Sequence, residues 1–320
     1  DNFLYSEDGV TWQYVPDNDS ISGVGRYNGI THGQNKFVAV SDFGAAVIVS
    51  EDGFAWEQIP VGAFVDLNAV TYGNGMFVAA AGSGETGAVY TSEDAITWTP
   101  RSALGNNDEW VGVTYGNGTF VVVSDSVSGD TVMTSTDGIS WTSRRSGNSN
   151  ERWNDVTFGN GLFVAVGGST FASSSPVMYS TDGINWATTS VAGNDDAWCD
   201  VIYGNGLFVA SADSGDCRFD SSNDKTMYST DGINWTVINT EVGDEVTVGF
   251  GNGRFVALGI ATSSYADAGF GEDTPITLFV DENATTSSST ATTLTYGLND
   301  DAGTTTIHAD LVADTVRLQK

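Results

Sequence analysis

The chain has 320 residues, of which 41 are acidic and only 11 are lysine or arginine, so its formal net charge is −30 at pH 7. This balance excludes a nucleic-acid partner, because binding to phosphates requires a basic surface. No apolar run is long enough to cross a bilayer, which excludes membrane insertion. Abundant glycine (39) with scarce proline (5) is typical of many short strands joined by tight turns, and predicts an all-β chain.

A seven-residue motif first occurs as S-E-D-G-V-T-W at residues 6–12 and then recurs along the chain. We expect its aspartate to cap a tight turn by accepting hydrogen bonds from turn amides, and its tryptophan to re-enter the core. The alternative is that these aspartates bind calcium or act as catalytic acids. It is disfavoured because each repeat would place its one aspartate at a separate turn. The six aspartates are Asp8, Asp52, Asp94, Asp137, Asp182 and Asp231.

A second motif, V-T-F-G-N-G-L-F-V-A-V at residues 156–166, alternates with the first and shares its period. Asn-Gly between two apolar runs predicts a tight hairpin, because both turn residues tolerate positive φ. One repeat then contains four strands, A to D, predicted at residues 154–158, 162–166, 177–180 and 185–188. Four antiparallel strands in about 40–45 residues match one blade of a β-propeller.

The segments S-T-D-G-I-N-W at residues 180–186 and 229–235 match the Asp-box consensus, so the chain resembles the Asp-box (BNR) propellers of the sialidase-like superfamily over residues 3–260. Such repeats occur in bacterial and phage surface proteins. The resemblance implies an all-β propeller and no particular activity.

Five complete repeats and two half-repeats predict six blades, the last combining residues near 3–15 with residues near 245–260. Residues 274–281 resemble a further strand C, so seven blades are the alternative. The propeller is assigned to residues 1–283. A Ser/Thr-rich linker and a β-like tail at 284–320 are a candidate segment for assembly, including homo-oligomerisation.

In such a blade the A–B and C–D turns share one face, and the longer, more variable B–C and D–A connections share the other. We expect ligand binding on this variable face. Four candidates are aromatic residues that precede strand A: Tyr27, Trp110, Trp153 and Trp198. Two further candidates are arginines, Arg152 and Arg218. The aromatic rings could stack on sugars and the arginines could bind carboxylate or phosphate groups. The alternatives are packing, since Leu67 occupies the same aromatic position, and surface ion pairing.

The longest connection in the fifth repeat is rich in oxygen ligands but lacks the spacing of an EF-hand loop, so calcium is only a weak hypothesis and no other cofactor is predicted. The four calcium candidates are Asp213, Asp216, Asp220 and Asp224. Cys199 and Cys217 lie at the same end of this repeat. We therefore predict that they form a disulfide and that the protein works in an oxidising location.

These patterns favour a non-catalytic recognition module outside the cell or on a virion surface, such as a phage fibre, a decoration protein or an adhesin, that binds surface glycan or other surface proteins. A purely structural propeller attached by its tail is the first alternative. A sialidase-like glycoside hydrolase is the second. The sequence has no Arg-Ile-Pro segment and no tyrosine with an evident glutamate partner, so we predict no catalytic residues.

Overall fold

The computed structural model describes residues 4–5, 13–14, 27–41, 46–61, 65–82, 89–101, 109–126, 130–147, 151–168, 176–191, 197–213, 225–239, 244–251, 254–260, 279–280, 292–297, 304–309 and 316–317. Every regular element in these ranges is a β-strand. Within the same ranges there is no helix of the length and apolarity that a membrane span requires.

The strands before and within the five complete blades are β1 (Leu4–Tyr5), β2 (Gln13–Tyr14), β3 (Tyr27–Gly33), β4 (Lys36–Ser41), β5 (Ala46–Ser50), β6 (Glu57–Pro60), β7 (Leu67–Gly73), β8 (Met76–Ala81), β9 (Val89–Ser92), β10 (Thr99–Arg101), β11 (Trp110–Gly116), β12 (Thr119–Ser124), β13 (Val132–Ser135), β14 (Thr142–Arg144), β15 (Trp153–Gly159), β16 (Leu162–Gly167), β17 (Pro176–Ser180), β18 (Ala187–Ser190), β19 (Ala197–Gly204), β20 (Leu207–Asp213), β21 (Lys225–Ser229) and β22 (Thr236–Asn239). The remaining strands are β23 (Asp244–Gly251), β24 (Arg254–Ile260), β25 (Phe279–Val280), β26 (Thr292–Gly297), β27 (Thr304–Ala309) and β28 (Val316–Arg317).

Five four-stranded sheets, each made of consecutive strands, are blades 1 to 5: β3–β6, β7–β10, β11–β14, β15–β18 and β19–β22. The pairings are antiparallel, as in β15–β16 and β16–β17. The fold is a β-propeller, as the sequence predicted. The five complete blades, with the additional pairs β1–β2 and β23–β24, are consistent with six or seven blades.

The chain contacts divide into two compact units, with blades 1–4 in the first unit and blade 5 with β23–β28 in the second. The predicted closing blade would combine β1 and β2 with β23 and β24. Most of its N-terminal half lies outside the described residues, and this closure stays a prediction.

The second strand of each blade is buried on both sides. In β16, residues Phe163, Val164, Ala165 and Val166 are all fully buried. A strand covered on both faces reads as a continuous apolar run. The outer strand β10, in contrast, has two exposed residues out of three. The hydrophobic core therefore lies between neighbouring blades as well as within each one.

The A–B turns confirm the predicted hairpins. Asn160 and Gly161 have φ of 48° and 76°, and the same pair of positive values recurs at Asn74-Gly75, Asn117-Gly118 and Asn205-Gly206. Positive φ at both central residues is the turn whose twist matches two antiparallel strands. In blade 1, Gln34 and Asn35 make the turn with φ of 51° and 59°.

Neighbouring blades interlock through a glycine and an aromatic ring. The glycine that ends strand A packs directly on the ring of the aromatic residue near the end of the next strand A, and a β-carbon there would overlap the ring. The pairs are Gly33–Tyr72, Gly73–Tyr115, Gly116–Phe158 and Gly204–Phe250. The aromatic-Gly dipeptide before each turn is therefore an inter-blade packing element in addition to its place in the hairpin.

The first three strands of blade 4 lie within one residue of their predicted bounds, and the fourth differs more. Strand D of blade 4 was expected at residues 185–188, but it is Ala187–Ser190. The reason is that Asn185 belongs to the preceding turn, where both its backbone N–H and its side-chain amide donate hydrogen bonds to Asp182, each at 2.8 Å.

Candidate binding face

The aspartate of each S-x-D-G-x-x-W segment holds its turn together. In blade 3, Asp137 Oδ1 accepts hydrogen bonds from the backbone N–H groups of Ile139 at 2.8 Å and Ser140 at 2.7 Å. The Ser135 hydroxyl donates to the same oxygen at 2.9 Å. Three donors converge on one carboxylate oxygen, so this side chain is committed to the turn.

The same network recurs around Asp52, Asp94, Asp182 and Asp231. Because backbone N–H groups donate to the ionised form, the pKa of Asp94 and of Asp137 is lowered to about 2. The pKa values of Asp182 and Asp231 lie well below the usual range for the same reason. Asp8 lies outside the described residues. Across the part of the chain that the structure describes, no three His, Cys, Asp or Glu side chains are grouped so as to hold a metal ion.

Contacts between blades bring the A–B turns against the C–D turns. Lys36 Nζ donates to the Asp94 carbonyl oxygen at 2.9 Å, and Asn74 Nδ2 donates to that of Thr136 at 3.4 Å. Asn117 Nδ2 makes the corresponding bond to Thr181 at 3.4 Å. In blades 1–4 these two kinds of turn therefore lie on one face, which we call the turn face, and repeated structural contacts occupy it.

The connections at the opposite ends of the strands vary in length. The B–C connection runs from Ser41 to Ala46 in blade 1 and from Asp213 to Lys225 in blade 5. Most residues of these B–C connections lie outside the described ranges, so the variable face is characterised here by the strand ends beside it.

A charged cluster lies at those strand ends in blades 3 and 4. Arg152 Nη1 lies 2.8 Å from Asp125 Oδ1, with 38% and 13% of the two side chains exposed. Arg145 Nε is 3.8 Å from Asp130, and 89% of the Arg145 side chain is exposed. The arrangement agrees with surface ion pairing for Arg152 and leaves Arg145 loosely held. Arg218 lies outside the described residues.

The sequence had not singled out Asp125, the partner of Arg152. The signal that could have identified it is its position just after strand B of blade 3, at the same end of the sheets as Arg152 just before strand A of blade 4. Only the packing of two neighbouring blades brings these strand ends together.

The tryptophan candidates for sugar stacking are buried. Trp110 is 1% exposed, and Trp153 and Trp198 are 0% exposed. Trp153 belongs to a buried cluster that includes Val121 and Val123 of the preceding blade. This corrects the stacking hypothesis for the three tryptophans, because a stacking platform needs an exposed ring face; the packing alternative accounts for their position. Tyr27 is half-buried, and burial raises the pKa of its hydroxyl.

Cys199, in the first strand of blade 5, is disulfide-bonded. Its predicted partner Cys217 lies outside the described residues, as do the calcium candidates Asp216, Asp220 and Asp224. Asp213 ends β20, and its side chain is not described. The pairing of Cys199 with Cys217 and the calcium hypothesis stay predictions.

No protein-family model matches this chain. No curated protein matches it either. Among solved structures, it is similar to YCF48 bound to D1 peptide, at 15% identity and a TM-score of 0.53, over 77% of this chain and 78% of that chain. Virginiamycin B lyase from Staphylococcus aureus gives 10% identity and a TM-score of 0.57, over 72% and 80%. The GH74 enzyme of Niastella koreensis gives 14% identity and a TM-score of 0.53, over 68% and 39%. Identities this low show the propeller fold alone.

Proposed function

We propose that this chain is a non-catalytic recognition module, presented outside the cell or on a virion surface, that binds a surface glycan through its B–C and D–A connections. The observation that carries the proposal is the contrast between the two ends of the blades. The turn face repeats the same hydrogen bonds in successive blades, whereas the connections at the other end differ from blade to blade. Variable loops on a rigid scaffold are the usual place for binding.

The charged cluster of blades 3 and 4 supports a polar ligand. Arg152 is already paired with Asp125 at 2.8 Å, but the Arg145 side chain is 89% exposed and lies 3.8 Å from Asp130. Arg145 can therefore turn towards a carboxylate or phosphate group on a glycan more freely than Arg152. The neighbouring aspartates can accept hydrogen bonds from sugar hydroxyls.

The turn chemistry supports placing the chain among Asp-box propellers, because one aspartate per repeat accepts the hydrogen bonds of its own turn. It also argues against these turn aspartates as catalytic acids, since backbone donors hold them ionised and a catalytic acid must instead carry a proton near neutral pH. YCF48, one of the similar solved structures, is bound to D1 peptide, so a protein ligand is the alternative to a glycan.

A glycan array probed with the full chain tests the proposal. We expect binding to a small group of related glycans and a clear loss of signal for Arg145→Ala. The matched control is Ile139→Ser, an exposed change on the turn face that leaves the backbone hydrogen bond of residue 139 in place. An array without bound glycan, or equal losses for both variants, contradicts the proposal. Turnover of a fluorogenic sialoside that Arg152→Ala abolishes would establish a glycosidase instead.

A further inference from the structure

The outer strand of blade 5 is an unprotected sheet edge. β22 is the last strand of its sheet, and its residues Thr236, Val237, Ile238 and Asn239 include no proline and no charge. Proteins usually protect such edges with proline or charged side chains, because the free N–H and C=O groups can pair with another chain. The outer strands of blades 1–3 follow that rule with Pro60, Pro100 and Arg144.

The outer strand of blade 4 differs from β22, although it also lacks proline and charge. Gly147 of the preceding blade packs directly against Trp186 and Ala187, where a β-carbon on the glycine would meet their backbone atoms. Neighbouring chain therefore already covers part of β18. Among the described residues, no glycine approaches β22 in this way, and no strand pairs with its outer side.

A second uncharged element lies near the end of the sequence. β26 pairs with β27, and β25 pairs with β28, so the two pairs are nested within residues 279–317. β25 also lies against β24. The hairpin β26–β27 is thus the distal part of an arm whose base is β25–β28. Neither T-T-L-T-Y-G nor T-T-T-I-H-A contains proline or a formally charged residue.

The hairpin β26–β27 is a two-stranded sheet. Among the described strands, β26 and β27 pair only with each other. A two-stranded hairpin is marginally stable in water and needs a further strand or a packed face. Counting only the strands that the structure describes, the arm therefore has two unpaired strand edges, and blade 5 has one at β22.

We propose that the hairpin β26–β27 of one copy adds to the β22 edge of a second copy, and that the reciprocal exchange of two arms forms a two-fold dimer. Main-chain hydrogen bonds would supply the pairing, as in other cases of strand addition. Two chains of net charge −30 repel each other over most of their surfaces. An interface between copies is thus favoured where both contributing strands are free of charge. This inference does not depend on glycan binding.

Light scattering after size exclusion measures the mass of the full chain. We expect twice 33.6 kDa for the unaltered chain. Ile238→Lys puts a charge on the accepting edge, and Thr306→Pro interrupts β27 at the residue opposite Thr295, so both variants should be monomers. The matched control is Thr189→Lys at the position in β18 that corresponds to Ile238, and it should remain a dimer. If Ile238→Lys lowers the melting temperature, Ile238→Asp is measured in its place. If Thr306→Pro lowers it, Thr305→Pro is measured instead.

Mixing the two monomeric variants separates strand exchange from other contacts. The Thr306→Pro chain retains β22, and the Ile238→Lys chain retains the hairpin. An equimolar mixture, with one chain enlarged by a tag, should therefore form a heterodimer through one arm. A monomeric unaltered chain overturns the proposal. So does a dimer that neither substitution dissociates, a control that dissociates like Ile238→Lys, or a mixture that gives no heterodimer.

Discussion

The indole N–H of Trp141 donates a hydrogen bond to the carbonyl oxygen of Gly138 at 3.0 Å, while its ring packs near Phe120 with a centroid distance of 6.4 Å. Trp141→Ala should lower the free energy of unfolding by about 3–5 kcal/mol, because it empties a packed site. Trp141→Phe should cost less, since a ring remains and the hydrogen bond is lost. Urea unfolding measures both variants against Ile139→Ser, for which a change within about 0.5 kcal/mol is expected. An unchanged midpoint for Trp141→Ala would show that this tryptophan does not support the blade.

The turn aspartates should make stability depend on acid pH. The folded-state pKa of Asp94 and of Asp137 is about 2, below the ordinary value of 3.8, so the unfolded chain binds protons first as the pH falls. Their stabilising contribution is present above about pH 4 and is lost as the pH approaches 2. Asp137→Asn should lower stability at pH 7 and make little difference at pH 2. Chemical unfolding at several pH values measures this effect.

The control for the pH series is Asp130→Asn, because Asp130 forms an exposed pair with Arg145 at 3.8 Å. Such a pair contributes little to stability. We expect the difference between this variant and the unaltered chain to stay nearly constant with pH. A constant difference for Asp137→Asn as well would contradict the turn-capping role.

The contact between Gly116 and the ring of Phe158 leaves no space for a side chain. Gly116→Ala should therefore separate blades 3 and 4 locally and cost about 1–3 kcal/mol or more. Gly82→Ala is the matched control, because its β-carbon would meet its nearest neighbours at ordinary distances of 3.5–3.7 Å. Equal melting temperatures for the two variants would show that the blades do not interlock at this position.

The disulfide of Cys199 gives a prediction about its partner. The sequence contains two cysteines, so intact mass after alkylation without reductant should show no labelled thiol, and reduction should expose two. Loss of the bridge should also lower the melting temperature, because a closed loop of this length restricts the unfolded chain. Two labelled cysteines before reduction would contradict a bridge between Cys199 and Cys217.

Local chemistry made much of the fold predictable. An Asn-Gly turn such as Asn160-Gly161 is determined by two adjacent residues. The hydrogen bonds around Asp137 are formed within a segment of seven residues. The contact of Gly116 with Phe158 was not predictable, because it joins residues from two different repeats. Trp153 is likewise buried in a cluster that includes residues of the preceding blade, although Leu67 at the equivalent position already favoured packing. No short sequence pattern of this kind identifies the ligand.

The contact between a glycine and an aromatic ring is the same at several blade boundaries. Tyr72 meets Gly33 in the same way that Phe158 meets Gly116 and Phe250 meets Gly204. Each contact joins a glycine to an aromatic ring, so it does not distinguish one blade from another. These contacts therefore do not determine the order of the blades. A duplicated blade would bring a compatible glycine at one boundary and a compatible ring at the other. Growth of the chain by whole repeats then needs no new interface, which leaves the loops at the opposite end free to diverge.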